Sequence, residues 1–379
     1  MTPMTRLSKS IAAVLGACSM LLAATLTPTL FAGDEALAQQ VQGRAIEQMS
    51  PLGGNVPGGH LGISSDAEIW RAVRQGIQGN VSIPDKQAGV MIQSEGDNWR
   101  AWRNGPITTG GAWGLLAMIA LLALFFVVRG RIRIDAGPSG KTIQRFGDLE
   151  RFAHWLSAVA FILLALTGLN TLYGKHVLLP VLSPDAFAAL SQAGKYVHNY
   201  VSFAFMAGLI LMLVIWARHN IPNKHDLIWL AKGGGMFVKG VHPPSKKFNA
   251  GQKILFWLVI LGGGSLAVSG TSLLFPFEFA FFAWTFDVLN VFGFGLPSEV
   301  TPLQEMQLSQ WWHAIVGIAM IALVIAHIYI GTLGMEGAFD AIGTGRVDEN
   351  WAREHHNLWV AEVKGEPMPG AGGGAEPAE

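Results

Sequence analysis

Between Gln310 and Leu333 the chain reads QWWHAIVGIAMIALVIAHIYIGTL, a run with no Lys, Arg, Asp or Glu that carries His313 near its start and His327 near its end. A run of this length is sufficient to cross a bilayer as a helix. Fourteen residues at about 1.5 Å rise set the two imidazoles roughly 21 Å apart along the axis, and fourteen steps of about 100° return them to within about 40° of one direction. Both rings therefore face one side of one helix, at opposite depths. An ionisable side chain inside a membrane span is costly and marks a pathway or a bound group. The competing reading for either histidine alone is a hydrogen bond between helices.

Several further apolar runs of similar length accompany it. The 379 residues are 51% hydrophobic and only 14% charged, which places the chain among polytopic membrane proteins. Equal numbers of basic and acidic residues, 26 of each, offer no attraction for nucleic acid. A single cysteine, Cys18, excludes an internal disulfide, a thiolate-held iron-sulfur cluster and covalent haem attachment through C-x-x-C-H.

Residues 1–38 read as a signal segment: Arg6 and Lys9 precede an apolar run from Ile11, and Ala36-Leu37-Ala38 offers a cleavage site before Gln39. Acylation of Cys18 in Leu15-Gly16-Ala17-Cys18, or retention as an uncleaved anchor, are the competing readings. Residues 39–110 read as a polar, glycine-rich periplasmic segment. Trp70-Arg71-Ala72 echoes Trp99-Arg100-Ala101 in it, and His60 reads as a surface histidine. An extra transmembrane helix over Ala112 to Val128 and a basic cytoplasmic linker complete 111–145. Four spans follow within 146–360, near Phe152–Tyr173, Val197–Ala217, Ile254–Phe275 and the opening run. Residues 361–379, rich in Pro, Gly and Ala, are expected to be disordered.

Basic residues sort by loop. Six follow the first of these spans, seven the third and three the last, against two and none in the intervening loops. Lys and Arg accumulate on the cytoplasmic side, so the loop 276–309, with four acids and no base, is expected outside and the C-terminus inside. His154 then lies at the inner start of the second span and His198 at the outer start of the third. Depth pairs His198 with His313 outside and His154 with His327 inside, each pair drawn from two helices. That is the arrangement two bis-histidine b haems require: imidazoles from facing helices, no covalent attachment and an apolar slot. Membrane-embedded Met206, Met212 and Met320 leave Met/His ligation open, and His/His is the simpler assignment. A proton relay is a rival of a different class, although the spans hold almost no other ionisable residues to complete it.

From about Arg145 to Trp359 the chain resembles the gamma, cytochrome b, subunit of membrane-bound respiratory formate dehydrogenase. The resemblance is carried by RFGDLERFAHW, HNIPNKHDLIWL, KFNAGQKILFW, the two histidines fourteen apart and GRVDENWAREHHNLW. It implies an all-α integral membrane fold, a four-helix haem-binding bundle to which this chain adds one N-terminal helix and a small periplasmic segment. It also implies a bacterial inner-membrane location and two haem b groups, with His154 and His327 as ligands near the cytoplasm and His198 and His313 near the periplasm. Catalytic alpha and iron-sulfur beta subunits are the implied partners, and electrons are expected to pass from the periplasmic iron-sulfur subunit to quinone near the cytoplasmic side.

For the quinone pocket the resemblance implies Asn249, Gly251 and Gln252 together with His327. From the residues alone, Asn249-Ala250-Gly251-Gln252 also reads as a helix start capped by Asn249. His355 and His356 read as a proton relay to reduced quinone or as a solvated loop pair. Arg218 and His219 read as propionate partners or as ordinary inner-loop charges, and His176, His225 and His242 have no assigned role. A cytochrome b serving a hydrogenase or thiosulfate enzyme, and a haem-free transporter or anchor, are the alternative functions.

Overall fold

The computed structural model describes residues 96–297 and 299–367. The expected signal segment with Cys18, the expected periplasmic segment up to residue 95 with His60 and the Trp70 echo, and the tail from 368 lie outside the described residues. Among those described, five helices are long and apolar enough to cross a membrane: Asn98–Arg129, Asp148–Val177, Pro184–Asn220, Ala250–Leu274 and Pro302–Gly334. The protein is an all-α, multi-pass membrane protein.

The four spans after the first begin where the sequence supplies a partner for the free N–H groups of a first turn. We label the regular α-helical part of the first span α1 (Gly111–Arg129). It continues a helical lead-in that passes Pro106 through a wider π turn over Arg103–Gly110, a geometry that accommodates a missing N–H. The spanning helix thus reaches back into residues the sequence reads as polar loop. In α2 (Asp148–Val177), Glu150 accepts from the Gly147 N–H at 2.8 Å. In α3 (Pro184–Trp216), Ser183 accepts from Ala186 N at 3.2 Å and Pro184 occupies the first turn. These caps start α3 thirteen residues before the apolar run, so His198 lies well within a helix and not at its mouth.

A short α4 (Lys224–Ala231) precedes α5 (Ala250–Leu274), and α6 (Phe281–Val291) forms in the acidic loop. The opening run lies in α7 (Pro302–Tyr329), capped by Thr301 and closed by a π turn over Ile330–Gly334. Glu305, only 3% exposed, accepts from Phe282 N and Ala283 N at 2.6 and 3.1 Å, so this acid of α7 caps α6.

The strongest helix pairings are α2 with α3 and α5 with α7; α3 also packs on α5, and α1 lies against α7. Close approach relies on small residues. A Cβ at Gly208 of α3 would stand 3.1 Å from the backbone of Ser157 in α2, and one at Gly263 of α5 would stand 3.1 Å from Phe205. Phe161, Phe205, Leu209, Met212, Phe256 and Met320 fill the centre. The opposite faces carry exposed Leu116, Leu121, Leu124, Leu166, Val214 and Leu261, as lipid-facing helices do.

At the end bearing the basic loops, the linker after α1 is stitched to the segment after α7. Strands β1 (Thr142–Gln144) and β2 (Arg346–Asp348) pair antiparallel with Ile143 opposite Val347. Glu354, in α8 (Glu349–His355), accepts from Asp135 N and Ala136 N at 3.0 and 2.9 Å. The last helix, α9 (Asn357–Lys364), starts against Ser245, whose carbonyl accepts from Leu358 N at 3.1 Å.

Candidate functional site

Helix α7 presents one histidine to each of two partners. His327 faces His154 of α2 near the basic end, with ring centres 6.1 Å apart and planes at 60°. His313 faces His198 of α3 toward the acidic end, again 6.1 Å apart, at 64°. The structure therefore brings together the two pairs that depth suggested. Met320, midway between them on α7, is buried in the core, and a Cβ at Gly262 would meet its sulfur at 2.7 Å.

The spacing is informative about what the rings can hold. Imidazoles bound on opposite sides of one metal through bonds of about 2.0 Å keep their ring centres about 6 Å apart. A direct N–H···N bond of about 2.9 Å would draw them to about 5 Å. Among the described residues no hydrogen bond joins the rings of either pair. An edge-to-face ring contact has a similar spacing, but it does not account for how the acidic-end rings are seated. His198 Nδ1 lies 2.8 Å from Thr167 Oγ1 and His313 Nδ1 lies 2.9 Å from Ser269 Oγ. A Cβ at Gly168 or Gly270 would stand 3.5 or 3.3 Å from Cε1 of the same two rings. With Nδ1 occupied, Nε2 is the nitrogen left for a metal. At the basic end, His154 Nδ1 is buried with no partner among the described residues. The four side chains thus form two imidazole pairs whose spacing suits a metal-centred group between the rings.

The amide motif at the basic end is a helix start. Asn249 Oδ1 accepts from Gln252 N at 2.9 Å, and Gln252 Oε1 accepts from Asn249 N at 3.1 Å, the reciprocal pattern of a capping box. Gly251 lies under Trp229, where a Cβ would meet the indole at 2.9 Å. The amide nitrogens of Asn249 and Gln252 are the donors the cap does not use.

Beside them is a residue whose role the sequence reading missed. Arg145, 4% exposed, donates from Nη2 to Lys247 O at 2.8 Å and Gln252 Oε1 at 3.2 Å, and its guanidinium lies over the rings of Phe146 and Trp351. Burial pulls its pKa down to about 9 against the opposing charge of Glu150, which still leaves it a cation at neutral pH. Its Nε is buried without a partner among the described residues. The available signal was its place at the head of RFGDLERFAHW; loop-charge counting treats it as one solvated base among six.

His355 and His356 are not a solvated pair. His356, 1% exposed, donates from Nδ1 to Lys246 O at 2.8 Å; burial pushes its pKa well down, and the Arg145 charge adds to that. Burial also lowers His355 to about 4, helped by His242 and Arg145 and opposed by Asp135, and its Nε2 has no partner among the described residues. His242 pairs with Asp135 at 3.2 Å, and both line a small pocket with His355, Arg129 and Met236. Asp135, His242 and Glu354 offer ligand atoms within 4.8 Å of one another, but both oxygens of Glu354 already serve backbone N–H groups and Asp135 accepts from Gly240 N. This cluster reads as a staple between loops. Arg218 Nε meets His219 at 3.1 Å.

Residues 145–345 match the prokaryotic cytochrome b561 family. The cytochrome b556(Fdn) subunit of nitrate-inducible formate dehydrogenase from Escherichia coli is 27% identical over 228 residues, 59% of this chain and 93% of the relative. The cytochrome b556(fdo) subunit of formate dehydrogenase from the same organism is 29% identical over 224 residues, 59% and 94% of the two chains. A formate dehydrogenase cytochrome b556 subunit of Haemophilus influenzae is 23% identical over 223 residues, 58% and 83% of the two chains. The family match takes in more than half of the sequence and all four helices that carry or seat the histidines, and on that basis the chain belongs to the prokaryotic cytochrome b561 family.

Proposed function

We propose that this chain is the membrane cytochrome b subunit of a formate dehydrogenase complex. It conducts electrons from an iron-sulfur subunit on the periplasmic side to a quinone near the cytoplasmic side. The observation that carries the reading is the pair of histidine sites on α7, one toward each membrane face, each completed by a different neighbouring helix. One haem b bound at each pair would supply one-electron redox chemistry. The relatives, all named as formate dehydrogenase subunits, support the choice of complex and hence its catalytic and iron-sulfur chains as partners. The positive-inside bias supports the basic end as cytoplasmic.

The chain's own contribution is geometric and electrostatic. Helices α2, α3, α5 and α7 exclude water and hold the imidazoles. At the basic end the amide nitrogens of Asn249 and Gln252 are available to donate to a quinone carbonyl, and Gly251 keeps the helix mouth low enough for a headgroup to approach. Buried Arg145, bonded to Gln252, adds positive charge where a reduced quinone gains electron density. His355 and His356 are placed beside that charge as candidates for proton delivery.

The test is the purified complex: pyridine haemochrome assay for about two non-covalent b haems per chain, then formate-driven haem reduction and quinone-driven reoxidation. Zero haem refutes the reading. Haem that formate cannot reduce in an intact complex refutes the choice of donor.

A further inference from the structure

We propose that Thr167 and Ser269 are positioning residues for the acidic-end histidine pair. Their hydroxyls fix both imidazoles as the Nδ1–H tautomer, present Nε2 to the metal, and hold the potential of the group bound there lower than it would be without them. The inference rests on the reading that this pair ligates a haem.

The donor and acceptor roles follow from what else each hydroxyl touches. Thr167 Oγ1 is 2.8 Å from Leu163 O and 3.1 Å from Leu164 O, and Ser269 Oγ is 2.9 Å from Ser265 O and 3.2 Å from Leu266 O. A carbonyl only accepts, so the single hydroxyl hydrogen goes to the helix backbone. The hydroxyl oxygen is then an acceptor toward the ring, and the hydrogen between Thr167 and His198, and between Ser269 and His313, belongs to Nδ1. Nε2 of both rings keeps its lone pair, the form in which imidazole binds a metal.

The arrangement occurs twice, from two different helices. Ala165-Leu166-Thr167-Gly168 of α2 serves His198 of α3, and Ala267-Val268-Ser269-Gly270 of α5 serves His313 of α7. In each, the hydroxyl takes Nδ1 and the following glycine lies against Cε1 of the same ring, where a Cβ would be in ordinary contact at Gly168 and tight at Gly270. Ser and Thr in apolar helices commonly bond back to a carbonyl one turn earlier, but that habit does not require a histidine nitrogen at the same oxygen or a glycine after it. Nor does it require both to recur on independent helices. His154 at the basic end has no such hydroxyl at its Nδ1 among the described residues.

The consequence for the bound group has a definite sign. An N–H donated to an acceptor leaves more electron density on the far ring nitrogen and makes it a stronger ligand. A stronger donor favours the oxidised metal. Removing the acceptor therefore raises the potential.

The test uses the full chain in its complex, with Thr167→Val, Ser269→Ala and the double variant, and with Thr167→Ser and Ser269→Thr as conservative controls. Potentiometric titration of the b-haem absorbance is read alongside haem content. The wave belonging to the acidic-end site is the one lost in His198→Ala. Expected is an upward shift of that wave in each single variant and a larger one in the double, with haem content and the other wave unchanged and the controls at the starting value. Loss of haem in Thr167→Val restored in Thr167→Ser supports the same role. Full haem with neither wave moved overturns the inference, and shows that the rings keep their ligand strength without the hydroxyls. Equal loss of haem in Thr167→Val and Thr167→Ser overturns it as well. Absence of the wave from the unmodified protein overturns the ligation reading, and the inference with it.

Discussion

Histidine placement decides the chemistry open to this protein, and single substitutions read it out. His198→Ala or His313→Ala is expected to remove one b-haem component and leave the other, and His154→Ala or His327→Ala is expected to do the converse, because the rings face each other only within those pairs. Low-temperature spectra of the four variants check this; loss of the same component from His198→Ala and His327→Ala would refute the pairing. Asn249 needs a subtler change, since Asn249→Ala also removes a helix cap and costs about 1 kcal/mol of stability for that reason alone. Asn249→Asp keeps the acceptor that serves Gln252 N and removes the amide donor. Slower quinone-driven reoxidation, with haem content and formate-driven reduction preserved, is the expected outcome; unchanged turnover would leave Asn249 a cap and nothing more.

Helix packing sets where the histidines sit, and it depends on small residues more than on hydrophobicity. Gly208 lets α3 lie against the backbone of Ser157 in α2, the two helices that carry His198 and His154. Gly208→Ala is expected to cost about 1–3 kcal/mol through overpacking and to disturb both sites, seen as lower thermal stability and broadened spectra of both haems. A full-strength, unshifted spectrum would show that the helices slide apart without consequence. The helix ends obey a different logic. Runs of apolar residues located the spans, but α3 begins at Pro184 and α7 at Pro302, because Ser183 and Thr301 cap polar turns that hydropathy does not register. α6 was not legible at all, since its start is capped by Glu305 from another helix.

Across the whole molecule, the basic end is a folded cap in which β1 pairs with β2 some two hundred residues later, with His356 buried and His355 half-buried in it. Above about pH 6.5 these rings are neutral whether the cap is folded or open. Below that, the open state takes up protons that the rings in the folded cap refuse, so stability falls as pH drops from about 6.5 toward the value of about 4 for His355. Thermal unfolding of the purified protein at a series of pH values between these limits is expected to show a falling midpoint. The slope should be reduced in His356→Asn, whose amide can still donate to Lys246 O. An identical slope in that variant would place the sensitivity elsewhere.

Local chemistry was sufficient for the membrane class, for the five long apolar helices among the described residues and for which histidines face each other. A run without charges, a rise of about 1.5 Å per residue and the sidedness of Lys and Arg are properties of the chain that need no knowledge of its neighbours. Tertiary structure decided everything that depends on which atoms meet across helices. It turned Arg145 from a loop charge into a buried cation bonded to Gln252, and His356 from a loop histidine into a core residue donating to Lys246. It also brought the hydroxyls of Thr167 and Ser269 to imidazoles 31 and 44 residues away. Hydropathy and periodicity describe one helix at a time, whereas hydrogen bonds between helices are fixed by register and rotation, which arise only on packing.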